Sequence, residues 1–540
     1  MSDPCTIVPT EPCVPAVADE RVLESFYRRY NTAKKQALVP IPPHTTNGDE
    51  ALGDKCGTYT KALKQMSPGK VDLTAYWPFR DALTNAATSG TFAALEGVTL
   101  GGTRTLNGPM GSYASTFFGA DSSQFGDAPP AAPIVPPPPA VASEAYATEL
   151  VELYWCSLLR DVAFTDYHKS PIAKAAAQEL SALPNYQGPV DGGKVTPALL
   201  FRGNFSGETI GPYISQFFVT PTMLGAQPVD QRYVTYKAGV DYMTDQPTWE
   251  AVQNGIPTGV DVQKDPTRRY LHNGRGLAAF TRVDELFQAY FTAHLVLSAI
   301  NAPNRPTFNP GNPYIHSMKQ NGFGTFGGAD IASVLAQVAK IALNAVWYQK
   351  WIVHLRHRPE SGGGLVHLIK NGVGFDCKPD PNVMNSEAVK RSYETYGSYL
   401  LSQAFPEGSP AHPAYPTGHG TVGGACITIL KFFYDGDFTF SDPQVPNSNG
   451  TKLKTLTYDP SIEDSGTLTV NGELHKLAHN VTFGHGLHAG IHWRSDSDAS
   501  MILGEAVAIS FLEDLACTYA EPFKVNLTKL DGSVATITNM

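Results

Sequence analysis

The sequence predicts an all-α protein with long ordered loops and minor β-hairpins, and three observations carry that prediction. Several long stretches repeat apolar residues at helical spacing. No strand–helix–strand alternation of the kind that builds a parallel sheet runs along the chain. Glycine (49) and proline (42) are frequent among the 540 residues, so extended loops must join the helices.

Residues 1–20 are rich in Pro, Thr and Ala and read as a frayed segment, followed by a helix over Arg21–Gln36. From about Asn47 to Asp127 the chain is dense in Gly, Thr and Asp and reads as an irregular covering layer. Residues 129–139 are proline-rich and predict polyproline II, either a linker or a surface strap. Ser143–Val162 carries an apolar stripe with Ser143 as N-cap. Residues 195–255 are loop-rich, with a local strand signal at Val234–Tyr236. Leu277–Ile300 and Asp330–Arg358 give the strongest long helices, the second ending at Pro359 because proline disfavours helix in the residue before it. Further helices are predicted over Ser386–Gln403, Thr421–Tyr434 and Ala499–Tyr519, with a hairpin excursion over Phe438–Asn471.

Composition excludes several function classes. Forty basic residues against fifty acidic ones give a net charge of −10, and no Lys/Arg run tracks a phosphate backbone, so nucleic acid is not an expected partner. No run of about 18 apolar residues argues for a membrane span, and the N-terminus lacks the basic-then-apolar pattern of a secretory signal. No compartment is assigned. Seven cysteines without CxxC spacing favour neither a zinc site nor a full disulfide framework. Any cationic site must be a local pocket in an acidic molecule.

Three clusters could carry chemistry. Ala411–Gly420 places His412, Thr417, Gly418 and His419 ahead of a buried helix, whose free N–H groups and dipole favour an oxyanion; a plain capped helix is the alternative. Lys350 and Arg358, with Trp347 nearby, are eight residues apart, about 80° of rotation and roughly 12 Å of rise on one helix, so both can reach one anion. Basic residues suiting a helix end would look the same. His485, His488 and His492 could share a helix face and hold zinc, but no HExxH pattern accompanies them. Glycines 484, 486 and 490 equally suit close backbone approach to a ligand or a surface loop.

Lys350-x7-Arg358-Pro359, His412-x6-His419 and Gly490-Ile491-His492-Trp493-Arg494, in that order, resemble the vanadium-dependent haloperoxidases, most closely the algal and cyanobacterial bromoperoxidase branch. Residues 152–162, 310–314 and 347–351 resemble that branch too, so the likeness covers nearly the whole chain. The resemblance implies helix bundles shared with type 2 phosphatidic acid phosphatases, a single large helical domain over 21–540, an active site within 340–500, and a homo-oligomer. It implies vanadate as cofactor, with His492 as its metal ligand, Lys350, Arg358, Thr417, Gly418 and His419 on its oxygens, and Trp347 and His412 on the halide side. Lys350, His412 and His419 would then serve catalysis, as hydrogen peroxide oxidises bromide to a hypobromous-acid equivalent that halogenates small organic substrates. Alternatives are an acid phosphatase with His492 as nucleophile, or a non-catalytic oxyanion-binding relative. Two positions depart from the family pattern: Thr417 stands for Ser, and Gly486 for an Arg. Either His485 or His488 supplies the missing donor, with His485 the one assigned to the cofactor, or Arg494 reaches back, or vanadate binds weakly.

Overall fold

A computed structural model describes residues 19–39, 41, 44–89, 93–116, 118–125, 134–300, 307–457 and 466–540. Most of the proposed frayed segment and residues 129–133 of the proline-rich stretch lie outside these. The architecture is all-α, and every sheet among the described residues is a two-stranded antiparallel pair.

The helices that frame the molecule are α1 (Glu20–Ala37), α2 (Leu73–Ser89), α3 (Glu144–Leu158), α4 (Gly274–Val283), α5 (Gln288–Ile300), α6 (Gly328–Tyr348), α7 (Pro359–Lys370), α8 (Gly418–Phe433), α9 (Val470–Phe483) and α10 (Arg494–Ala516). At the centre, α8 is buried along its whole length, with α10 and α6 packed on it. Small residues make that crossing close. A Cβ on Gly504 of α10 would lie 2.0 Å from the Thr421 carbonyl oxygen, and one on Gly424 of α8 would lie 2.1 Å from that of Met501. Each backbone fills the space a methyl group would need. The residues Gly328–His354 are long and apolar enough to cross a membrane by length and composition, but half of that window is buried, and Ile331, Val334, Leu335 and Val338 pack in the main core.

Several predicted elements differ in the structure. The helix expected over Leu277–Ile300 is two, α4 and α5, because Asp284 is extended (φ −69°, ψ 149°) and turns its carboxylate to His419. The helix expected to run through Arg358 ends earlier: α6 passes into a π turn over Gln349–His354, and Leu355 adopts a left-handed φ of 45°. Pro359 opens α7 instead of closing α6. A proline at the first helical position gives up an N–H that has no partner there anyway. Lys350 and Arg358 therefore do not share a helix.

Residues 387–396 are helical, but the turn stops at Gly397 (φ 72°) rather than at Gln403. The covering layer contains α2, which the Gly/Thr-rich composition concealed. Val234–Tyr236 forms no hairpin; Tyr236 makes a single bridge to Lys264, and the hairpin lies upstream, Thr222–Leu224 against Gln227–Val229. The excursion after α8 keeps a short hairpin, Gln444–Pro446 against Leu453–Thr455, with residues 458–465 outside the described set. Residues 134–139 lie on the body, with Val135 in the main core and the Pro136 carbonyl accepting from the Tyr415 hydroxyl.

Candidate active site

Four segments converge at the N-terminus of α8. Thr417 is the N-cap residue, but its side chain makes no capping bond, and its Oγ1 is buried without a partner. Its backbone N–H donates to the Asp496 carbonyl at 3.1 Å, tying α8 to the start of α10. The next two residues are Gly418 and His419. A buried hydroxyl without a partner costs about 1–3 kcal/mol, so its persistence here points to a ligand acceptor or donor.

Lys350 comes in on the π turn. Fully buried, its Nζ donates to the carbonyls of Pro413 (3.0 Å) and Ala414 (2.7 Å). Burial, with Arg358 close by, holds its amine well below the usual lysine range. After the left-handed turn at Leu355 the chain is pinned to residues 57–59, with Tyr59 N–H donating to Leu355 O at 2.7 Å and His357 N–H to Gly57 O at 3.3 Å. This delivers Arg358, whose Nε donates to His412 O (2.9 Å) and whose Nη1 donates to Ile491 O (2.9 Å) and His492 Nε2 (2.7 Å). Its Nη2 reaches His412 Nδ1 at 3.0 Å. Burial pushes this guanidinium down to about 10. Both groups are desolvated and Arg358 lowers the Lys350 amine further, so an anion between them would favour the charged form of each.

His492 enters between a second π turn, Gly484–His488, and α10. Its Nδ1–H donates to Asp496 Oδ2 at 2.8 Å, which leaves Nε2 as the lone-pair atom beside Arg358. Asp496 is held in turn by Arg356 Nη1 at 2.7 Å. His419 donates from Nε2 to Asp284 Oδ1 at 2.9 Å and stacks on His485 with ring centroids 4.0 Å apart; His485 and His492 are 5.7 Å apart. The Nδ1 of His485 is buried and unpartnered, and burial beside His419 and His492 holds the ring well below the usual histidine range, hence neutral at pH 7. His412 faces Trp347 at 4.7 Å between ring centroids, and Trp347 donates from Nε1 to Gly108 O at 3.0 Å.

The three histidines of the Gly-rich cluster do not share a face. His488 turns away, with Nδ1 3.1 Å from Cys156 Sγ and Nε2 2.9 Å from the Tyr213 hydroxyl. No zinc-like group of His, Cys, Asp and Glu occurs among the described residues. Arg494 also points elsewhere, its Nε and Nη2 donating to the Glu152 carboxylate at 2.8 and 2.5 Å. A Cβ on Gly486 would lie 3.3 Å from that of His492. Of the three candidates to replace the missing guanidinium, only His485 therefore stands in the cluster.

Chemically, the arrangement suits an anion: two buried basic side chains, a helix N-terminus, an orphaned hydroxyl and an imidazole lone pair, with the imidazoles of His419 and His412 alongside. Residues 333–518 match the family model of the VCPO second helical-bundle domain. The chain is 32% identical to a vanadium-dependent bromoperoxidase of Ascophyllum nodosum over 96% of its length and 93% of that protein's. The chain belongs to the vanadium-dependent haloperoxidases. Its likeness to the bromoperoxidase branch extends to a vanadium-dependent bromoperoxidase of Corallina officinalis, 30% identical over 96% of this chain and 98% of the relative. A solved homohexameric vanadate-dependent bromoperoxidase of Ascophyllum nodosum superposes with a TM-score of 0.87 at 28% identity, covering 98% of this chain and 93% of that one.

Three residues that hold the side chains of this candidate haloperoxidase site carry no signal that the sequence analysis used. Asp496 is four residues beyond His492, a spacing that was open to notice. Asp284 is 135 residues from His419 and Arg356 is 140 from Asp496, so neither had a local signal.

Proposed function

We propose that this chain oxidises bromide with hydrogen peroxide, using vanadate as cofactor, and releases a hypobromous-acid equivalent that halogenates small organic molecules. Vanadate when bound supplies a Lewis-acidic centre that activates peroxide for attack by halide. His492 would hold it through Nε2, and Lys350, Arg358, the Thr417 hydroxyl, the Gly418 N–H, His419 and His485 would meet its oxygens. These donors are fixed before ligand arrives, so they need little reorganisation to stabilise negative charge. His419, oriented by Asp284, would move a proton, and His412 beside Trp347 would handle halide or proton.

The observation that carries this reading is the pairing of the unpartnered Thr417 Oγ1 with the unpartnered His485 Nδ1, two buried polar atoms in one anion pocket. The described residues, with several buried donors around one imidazole lone pair, fit an oxyanion with several oxygen acceptors. A homo-oligomer and iodide or chloride as further halides belong to the same proposal.

Purified protein incubated with orthovanadate should brominate a diketone in the presence of peroxide and bromide, and His492→Ala should abolish that activity. No bromination at any vanadate concentration sinks the proposal. Phosphate has the same shape and donor demand, so hydrolysis of a chromogenic phosphate ester without bromination would instead support an acid phosphatase with His492 as nucleophile. Vanadate binding with neither activity would support a non-catalytic relative, the reading that the Gly486 position favours.

A further inference from the structure

The covering layer is clasped to the segment that follows α7 by reciprocal hydrogen bonds. Asp54 N–H donates to Asp376 Oδ2 at 2.9 Å, and Asp376 N–H donates to Asp54 Oδ2 at 2.8 Å, across 322 residues of chain. Cys56 N–H donates to Asp54 Oδ1 at 3.1 Å. Within this clasp the thiols of Cys56 and Cys377 meet and are hydrogen-bonded sulfur to sulfur. The other described cysteines stand elsewhere: Cys156 lies against His488, Cys426 is in the main core and Cys517 is exposed.

The pair is within reach of a small solute. Cys56 is half-buried, and Cys377, though buried, stands between the exposed Asp376 and Lys378. Cys56 also lines a cavity of about 20 Å³ with Thr58, Gln253, Ser361 and Phe375, room for a molecule the size of water or peroxide. The hydrogen bond from Cys56 holds the Cys377 thiol below the usual thiol range, against burial and the nearby Asp49 and Asp54 carboxylates; the same contact, with burial, pushes Cys56 up. One sulfur thus ionises more readily while the other waits in contact with it. Thiolate attack on an oxidant followed by disulfide closure needs that arrangement.

A bond between the two sulfurs would frame α7. On the near side, residues 57–59 run beside the segment that delivers Arg358: Thr58 bridges antiparallel to Arg356, Tyr59 N–H donates to Leu355 O at 2.7 Å and His357 N–H donates to Gly57 O at 3.3 Å. On the far side, Cys377 follows the end of α7 at Lys370. The helix would be held at its start by backbone pairing and beyond its end by a covalent link. Cross-links that close long loops restrict the unfolded chain most.

We propose that Cys56 and Cys377 are a peroxide-sensitive dithiol site that closes to a disulfide and staples the covering layer across α7. The thiolate of the pair attacks one oxygen of hydrogen peroxide, so an S–O bond forms, the O–O bond breaks and hydroxide leaves to become water. The second sulfur then displaces the sulfenic oxygen as a second water, and the S–S bond forms. Two thiols are oxidised to one disulfide while one peroxide is reduced to two waters. The step needs neither vanadate nor halide and stands apart from the proposed turnover.

The test uses the full chain, reduced with dithiothreitol, desalted, and exposed to a few equivalents of hydrogen peroxide without vanadate or bromide. After catalase quenching and alkylation, non-reducing peptide mapping should show the Cys56 peptide linked to the Cys377 peptide, with two of the seven thiols lost and both regained on reduction. The cross-link should raise the apparent melting temperature by roughly 5 °C, and Cys377→Ser treated in the same way should show no rise. Cys56 and Cys377 both recovered as alkylated thiols, oxidised singly to sulfinic or sulfonic acid, or paired with other cysteines would overturn the dithiol site. A cross-link that leaves the melt unchanged, or an equal rise in Cys377→Ser, would overturn the staple. Bromination plays no part in any of these readouts, so they stand or fall separately from the proposed activity.

Discussion

His492 and Asp496 are joined by a 2.8 Å hydrogen bond from the imidazole Nδ1–H to Oδ2, while the other carboxylate oxygen accepts from Arg356 at 2.7 Å. That chain of contacts fixes both the tautomer and the orientation of the ring. Asp496→Asn sets an amide N–H₂ against one of those donors and leaves Arg356 with Glu149 as its remaining ion-pair partner. Partners behind a metal ligand typically contribute 10- to 100-fold in affinity, so orthovanadate binding should weaken by about that factor. Calorimetric titration checks it; wild-type affinity in the variant would mean that the ring is oriented by something other than Asp496.

In the proposed reading His485, beside His419 and His492 with its Nδ1 unpartnered, stands where a guanidinium would otherwise donate. A hydrogen bond to a charged group is worth about 1.5–3 kcal/mol, so His485→Ala should weaken vanadate binding roughly 10- to 100-fold. His488→Ala, by contrast, disturbs Cys156 and Tyr213 and should lower thermal stability while leaving affinity near wild type. Equilibrium dialysis on both variants separates the roles, and the reverse pattern would transfer the assignment to His488.

His479 is fully buried between Glu208 and Asp498. Burial alone would lower its titration point, but the two carboxylates outweigh it and push it up to about 9. A group whose pKa is raised on folding contributes stability that is complete below the unfolded value near 6.5 and lost as pH rises through about 9. The full contribution is on the order of 3 kcal/mol. The difference in Tm between wild type and His479→Gln should therefore be largest at pH 6 and shrink steadily towards pH 10. A difference that is flat with pH would show that His479 is not held as an imidazolium.

Gly504 sets the distance between α10 and α8. Because a Cβ there would meet the Thr421 carbonyl at 2.0 Å, Gly504→Ala must push the helices apart, at a cost of about 1–3 kcal/mol. Thr417 is tied to Asp496 across the same crossing, so the variant should lose both melting temperature and vanadate affinity. Differential scanning fluorimetry with and without orthovanadate reads both; an unshifted melt would show that the crossing has slack.

Much of the site was legible because its residues come in short motifs whose chemistry is local. Thr417, Gly418 and His419 sit at a helix start, and a helix start prefers anions whatever surrounds it. The helix boundaries were less legible. Pro359 can follow one helix or open the next, and only the left-handed turn at Leu355 decides between them. The break at Asp284 has the same origin: the carboxylate is drawn out of a helical run by a histidine in another element.

By itself the sequence determined the helical class and named the start of α8, the two basic side chains and the histidine that faces them as the candidate site, because apolar periodicity and charged side chains are written residue by residue. Tertiary structure alone decided that Lys350 and Arg358 reach the site from separate elements, and that His485 turns inward while His488 and Arg494 turn to Tyr213 and Glu152. Only the fold brought Asp284 and Arg356 to their partners. Such choices depend on which buried polar group finds a partner across more than a hundred residues of chain, and no local pattern encodes that distance.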